Sequence, residues 1–214
     1  MGWVGLMFLC LLGPVDSTAQ HIPKWVNLTD LMYQAKDGNT ALARDLIEQG
    51  ADVNERSARN YSALMLAAMW GHVDMIELLI DKGAQVDATD VDGYTSLIYA
   101  ARYGHLDAVK KLAASGADID ARTKSNRTAL YLASFFGQTP IVNFLIINKA
   151  KVQVATKDGE TPLMAAAKFG HQEIVTILLD QGANPAATNN DGQTAADLAR
   201  ENGYAEVADY IDNL

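Results

Sequence analysis

The chain has 214 residues and a formal net charge of −9, with 49% hydrophobic and 20% charged residues. That balance fits a folded chain and excludes a disordered one, and the acidity speaks against general nucleic-acid binding, which needs a basic footprint. No window reaches the roughly 18 apolar residues that make a membrane-spanning helix.

From the N-terminus, Trp3 to Pro14 is almost wholly apolar, and Ser17-Thr18-Ala19 places small residues where a signal peptidase reads. Residues 1–19 are expected to be a signal peptide cleaved after Ala19, with 20–26 as a linker, which puts the mature protein in the periplasm or outside the cell. No Lys or Arg precedes the apolar run, and the competing reading is an N-terminal helix buried against the rest of the fold. Cys10 is the only cysteine, so cleavage would leave a chain without thiols, as suits an oxidising compartment.

Beyond the linker the sequence is periodic. Gly38, Gly71, Gly104, Gly137, Gly170 and Gly203 are spaced by 33 residues. Thr29, Ser62, Thr95, Thr128, Thr161 and Thr194 repeat at the same step, as do Gly50, Gly83, Gly116 and Gly182, with Lys149 in the remaining slot of that column. Such a period marks a stacked array of small units. The clearest unit is 158–190. Asp158-Gly159 makes a turn, Thr161 caps a helix whose first residue is Pro162, and Ala165, Ala166 and Ala167 let a neighbouring helix approach. Gly170 turns the chain, Ile174 to Leu179 supplies the apolar face of a second helix, and Gly182 ends it in the left-handed conformation. The pattern predicts a capping unit over 27–58, full repeats over 59–91, 92–124, 125–157 and 158–190, and a C-terminal cap over 191–214 with a polar outer face.

These units resemble the ankyrin repeat, and the resemblance spans residues 27–214. It implies an all-α fold: one domain, a solenoid of stacked helix-turn-helix units with hairpin-like loops. The family often has His three residues after the capping Thr. Here that column reads Met32, Met65, Ile98, Tyr131, Met164 and Asp197, so packing is expected to replace the bracing hydrogen bonds. Unit 125–157 departs furthest. Gln138-Thr139-Pro140 stands where His is usual after the turn glycine, and with Lys149 in the glycine slot a local backbone change is expected.

No catalytic or metal constellation is readable, so neither an enzyme nor a cofactor is expected. His72, His105 and His171 occupy one repeat position, and helices stacked about 8–10 Å apart do not bring successive imidazoles onto one ion. They read as turn-stabilising residues. The sequons at Asn27, Asn60 and Asn126 each use the capping Ser or Thr as third residue, so the repeat pattern itself generates them, and they matter only in a eukaryotic secretory pathway.

The resemblance further implies a concave face, lined by the hairpin tips and first helices, that carries partner contacts. On it the residue before each turn glycine is Trp70, Tyr103, Phe136 or Phe169, with Arg102 and Phe135 one place earlier and Tyr94 and Arg127 near the tips. Aromatics in this slot pack partly on the next unit in many such proteins. The sharper expectation is a continuous exposed strip of these eight residues, apolar and basic on an acidic body, that binds a protein with an acidic, partly apolar surface. The unbound chain is expected to be monomeric. It resembles small exported bacterial ankyrin proteins. That leaves support of a periplasmic enzyme such as catalase, neutralisation of a toxic effector as an immunity protein, and a cytosolic scaffold as open roles.

Overall fold

A computed structural model describes residues 28–213, which form twelve helices and no strand. The proposed signal peptide and linker, His21 and the sequon at Asn27 lie outside the described residues. The helices come in six antiparallel pairs: α1 (Asp30–Asp37) with α2 (Thr40–Glu48), α3 (Ala63–Met69) with α4 (Val73–Asp81), and α5 (Ser96–Tyr103) with α6 (Leu106–Ala114). They continue as α7 (Ala129–Phe135) with α8 (Thr139–Ile147), α9 (Pro162–Lys168) with α10 (Gln172–Asp180), and α11 (Ala195–Glu201) with α12 (Ala205–Asp212). Odd-numbered helices stack in one layer and even-numbered helices in a second. Each is only 7–9 residues long, too short to hold in water by itself, so its stability comes from the apolar face it buries against its neighbours.

The inner layer is built on small residues. Ala67, Ala68, Ala100, Ala101, Ala133, Ala165, Ala166 and Ala167 are fully buried, and this lets α3, α5, α7 and α9 lie close together. Every inner helix starts the same way. The hydroxyls of Thr29, Ser62, Thr95, Thr128, Thr161 and Thr194 accept from the backbone amide three residues on, at 3.1–3.4 Å. Met32, Met65 and Met164, in the column where histidine is common, are buried in the packing that replaces it.

Two seams of hydrogen bonds join successive units at their loops. At the hairpin tips, which straddle the unit bounds, the amides of Val91, Lys124, Lys157 and Asn190 donate to the carbonyls of Arg59, Asp92, Ser125 and Asp158 in the preceding hairpin, at 2.9–3.1 Å. Beyond α2, α4 and α6, the side chains of Asn54, Asp87 and Asp120 accept from the amides of Gln85, Asp118 and Lys151 in the following unit.

The backbone change expected in unit 125–157 does not occur. Lys149 takes a φ of +69°, the same left-handed form as Gly116 and Gly182 in its column, and the chain leaves α8 as it leaves the other outer helices. A non-glycine residue there costs about 1–2 kcal/mol, which packing of α8 between α6 and α10 overrides.

Candidate partner-binding face

The hairpins are held by a column that repeats at the same interval, Ser57, Asp90, Thr123, Thr156 and Asn189, all buried. Each side chain accepts from the amide four residues on, and Asp90 and Asn189 also accept from the amide two residues on. Five residues of three chemical kinds do one job, so identity alone does not reveal the column; short hydrogen-bond acceptors at fixed spacing are the signal. Asp90 does more than the others. Its second oxygen accepts from the Tyr99 hydroxyl at 2.6 Å. The hairpin of Tyr94 and the helix of Tyr99 are therefore tied to one carboxylate. Burial, followed by the bond to Asp90, pushes the Tyr99 phenol far up, so it stays a donor at any ordinary pH.

Around that anchor the aromatic side chains meet. Tyr94 stacks on Tyr99 with ring centres 5.1 Å apart, and Tyr103 stacks on the other side at 6.5 Å. Tyr61 and Trp70 pack with them on the buried Met65 and Met69. The Arg102 guanidinium carbon lies 5.5 Å from the ring centres of both Tyr103 and Phe136, and so bridges to the next unit. Phe136 meets Phe135 edge-on at 4.9 Å, and Phe135 meets Phe169 at 4.4 Å. Arg127 sits over Tyr131, which in turn touches Phe135. Trp70, Tyr94, Arg102, Tyr103, Arg127, Phe135, Phe136 and Phe169 thus lie in one connected patch, together with Tyr99 and Tyr131, which sequence reasoning did not single out.

The patch differs from an exposed strip. All eight residues are partly buried, because each ring leans on a neighbour from its own or the next unit. Arg127 also buries its Nε without a hydrogen-bond partner, a cost of about 1–3 kcal/mol.

Charge is arranged unevenly along the patch. Glu160 accepts from the Tyr131 hydroxyl at 2.6 Å and pairs with Lys168 at 2.9 Å. Burial alone would raise the Glu160 carboxyl, but the bonds from Tyr131 and Lys168 outweigh it and hold the carboxyl below its usual value. Lys168 is thereby neutralised, whereas neither Arg102 nor Arg127 has a carboxylate partner among the described residues.

The histidines lie between units. The Nε2–H groups of His72, His105 and His171 donate to the carbonyls of Lys36, Met69 and Phe135 in the preceding unit, at 2.9, 2.9 and 3.2 Å. Each ring lies against the turn glycine of that unit. These are inter-unit staples, and no group of three or more potential metal ligands occurs among the described residues. Gln138 fills the same space beside Gly104 without forming the bond. The two described sequons are also structural. Asn60 and Asn126 adopt left-handed conformations at the hairpins, and their side-chain amides donate to the carbonyls of Thr89 and Ala155.

Among the described residues no helix is long and apolar enough to cross a membrane. A family model for ankyrin repeats (3 copies) matches residues 31–123 and 130–212. No curated protein matches the chain.

Proposed function

We propose that this chain, which belongs to the ankyrin-repeat family, is a non-catalytic module that holds one partner protein on the face lined by its inner helices and hairpins. The observation that carries this is the connected patch from Tyr61 and Trp70 through Tyr99, Tyr103 and Arg102 to Phe135, Phe136 and Phe169. Trp, Tyr and Arg are the side chains on which binding energy most often concentrates, and rings already packed on one another lose little freedom when a partner arrives. The partner's surface is acidic and partly apolar, matching two unpaired arginines set among rings on an acid-rich chain.

The module acts after export. The apolar run from Trp3 to Pro14 and the small residues to Ala19 support this, as does a mature chain free of cysteine. Sequencing the mature protein from its host should find Gln20 first; an intact Met1 in the cytosol overturns the export reading.

The binding reading is tested by capture from extracts of the native host, followed by mass spectrometry, with the wild-type chain and the variant W70A, Y103A, F136A. Each substitution should weaken binding about tenfold or more, so the triple variant should lose the partner. A folded triple variant that captures the same protein equally well overturns it. Capture of an enzyme such as a catalase, or of a toxic effector, distinguishes a supporting role from an immunity role.

A further inference from the structure

Arg102 and Arg127 are both partly buried without a carboxylate among the described residues, but Arg127 lies over one ring, Tyr131, whereas Arg102 lies against three. Lys124 and Lys157 at the hairpin tips also lack carboxylate partners among the described residues, but they are exposed. Lys168 is partly buried and has Glu160. Arg102 is partly buried and meets no carboxylate among the described residues. Its Cζ lies 5.5 Å from the ring centres of Tyr103 and Phe136 and 5.9 Å from that of Tyr94. Its one polar contact runs from Nη1 to the Tyr94 hydroxyl at 3.5 Å, the outer limit of a hydrogen bond. A guanidinium carries five N–H donors in a planar fork, so most of this fork has no acceptor among the described residues. The three rings hold it in place, and Asp90 fixes two of their neighbourhoods, through the Tyr94 amide and the Tyr99 hydroxyl. Much of the entropy of ordering a long cationic side chain is therefore already lost before a ligand arrives.

Resting on the reading of this face as the partner site, we infer that Arg102 is its carboxylate receptor: the partner presents an Asp or Glu side chain next to an apolar one. The carboxylate takes the open edge of the Arg102 fork, in the two-bond geometry that guanidinium and carboxylate share. The neighbouring apolar side chain packs on Phe135, Phe136 and Phe169, beyond the guanidinium on the next unit. A phosphate dianion fits less well. It needs several donors, and here it would find one free fork.

The test is selection of a random linear peptide library, displayed on phage, against the full chain. Enriched peptides should carry Asp or Glu beside an apolar residue. Their synthetic forms, capped as amides to remove the terminal carboxylate, should bind R102Q about tenfold to a hundredfold more weakly. R102K keeps the charge without the planar fork and should recover only part of that loss. Thermal unfolding of both variants checks that the array is intact. Enrichment of peptides without acids, acidic peptides that bind R102Q as well as wild type, or a selection that enriches nothing overturns the inference. Acid-free peptides that still fail to bind the variant W70A, Y103A, F136A overturn the carboxylate receptor alone. Peptides that bind that variant undiminished overturn the face as well.

Discussion

The junction between units 59–91 and 92–124 and the junction that follows it differ in the side chain that fills the pocket beside the turn glycine. At the first, His105 reaches back to the Met69 carbonyl and lies against Gly71. At the second, Gln138 fills the same space against Gly104 and makes no bond. The hairpin seam is the same at both, 3.1 Å from Val91 to Arg59 and 2.9 Å from Lys124 to Asp92. The difference teaches that shape and hydrogen bonding are separable in this stack. Van der Waals filling of the glycine pocket is enough to keep the register, and the imidazole adds rigidity on top of it. What the second junction has instead is Arg102 lying between Tyr103 of one unit and Phe136 of the next, on the inner face.

The largest effect that sharpens this contrast comes from adding a methyl group at each glycine. At Gly71 a Cβ would come within 2.6–2.7 Å of a ring that is bonded in place, and the backbone is left-handed as well. G71A should destabilise the array by about 2–3 kcal/mol, summing backbone strain and the lost staple. At Gly104 the clash is with the free end of Gln138, which can swing away, so G104A should cost only the backbone strain, about 1–2 kcal/mol. Urea unfolding of the two variants gives both numbers, and equal losses would break the comparison.

The period carried most of the architecture because it fixes backbone roles, and these are nearly independent of the exact residue. The capping hydroxyls, the turn glycines and the alanines that allow close helices could be placed from spacing alone. Lys149 could not be read correctly, since its misfit in a glycine slot is worth less than the packing of α8 with its neighbours. Within the proposed binding face, spacing put the aromatic side chains in columns but said nothing of which way they lean. The contact of Arg102 with Phe136 joins different columns of adjacent units and depends on rotamers. Tyr99 was passed over because a tyrosine inside a helix reads as core until its hydroxyl partner, Asp90, is seen.

Repair of the weaker unit should give smaller, opposite effects. K149G relieves the left-handed lysine and should stabilise the array by about 1 kcal/mol. Q138H should add about 0.5–1.5 kcal/mol if the ring finds the Arg102 carbonyl as its counterparts do. A rise in urea midpoint for K149G but none for Q138H would mean that the Gln junction has no free acceptor to offer.

The smallest effect is in acid. Burial, opposed by the bonds to Met69 and Phe135, lowers the imidazoles of His105 and His171 below the ordinary 6.5. Above 6.5 they are neutral in both folded and unfolded chains, and their contribution to stability is complete. As pH falls below 6.5 the unfolded chain takes up protons first, and stability is lost until the folded imidazoles titrate in turn. The variant H105Q, H171Q, with two of the three stapled junctions turned into copies of the Gln138 one, should flatten that part of the stability profile. An unchanged slope would show that the staples do not couple to protons.

Because each unit shares bonds only with the units beside it, a whole period can be excised in register. Removing 125–157 would set His171 where Gln138 stands and Gly182 where Lys149 stands. The shortened array would gain a staple opposite Gly104 and lose its strained lysine. It would also lose Arg127, Phe135 and Phe136. In register Phe169 would stand where Phe136 does, so Arg102 would keep one ring but lose the cluster of Phe135, Phe136 and Phe169 beyond it. The array thus keeps its least regular unit at the place where its surface is most distinctive.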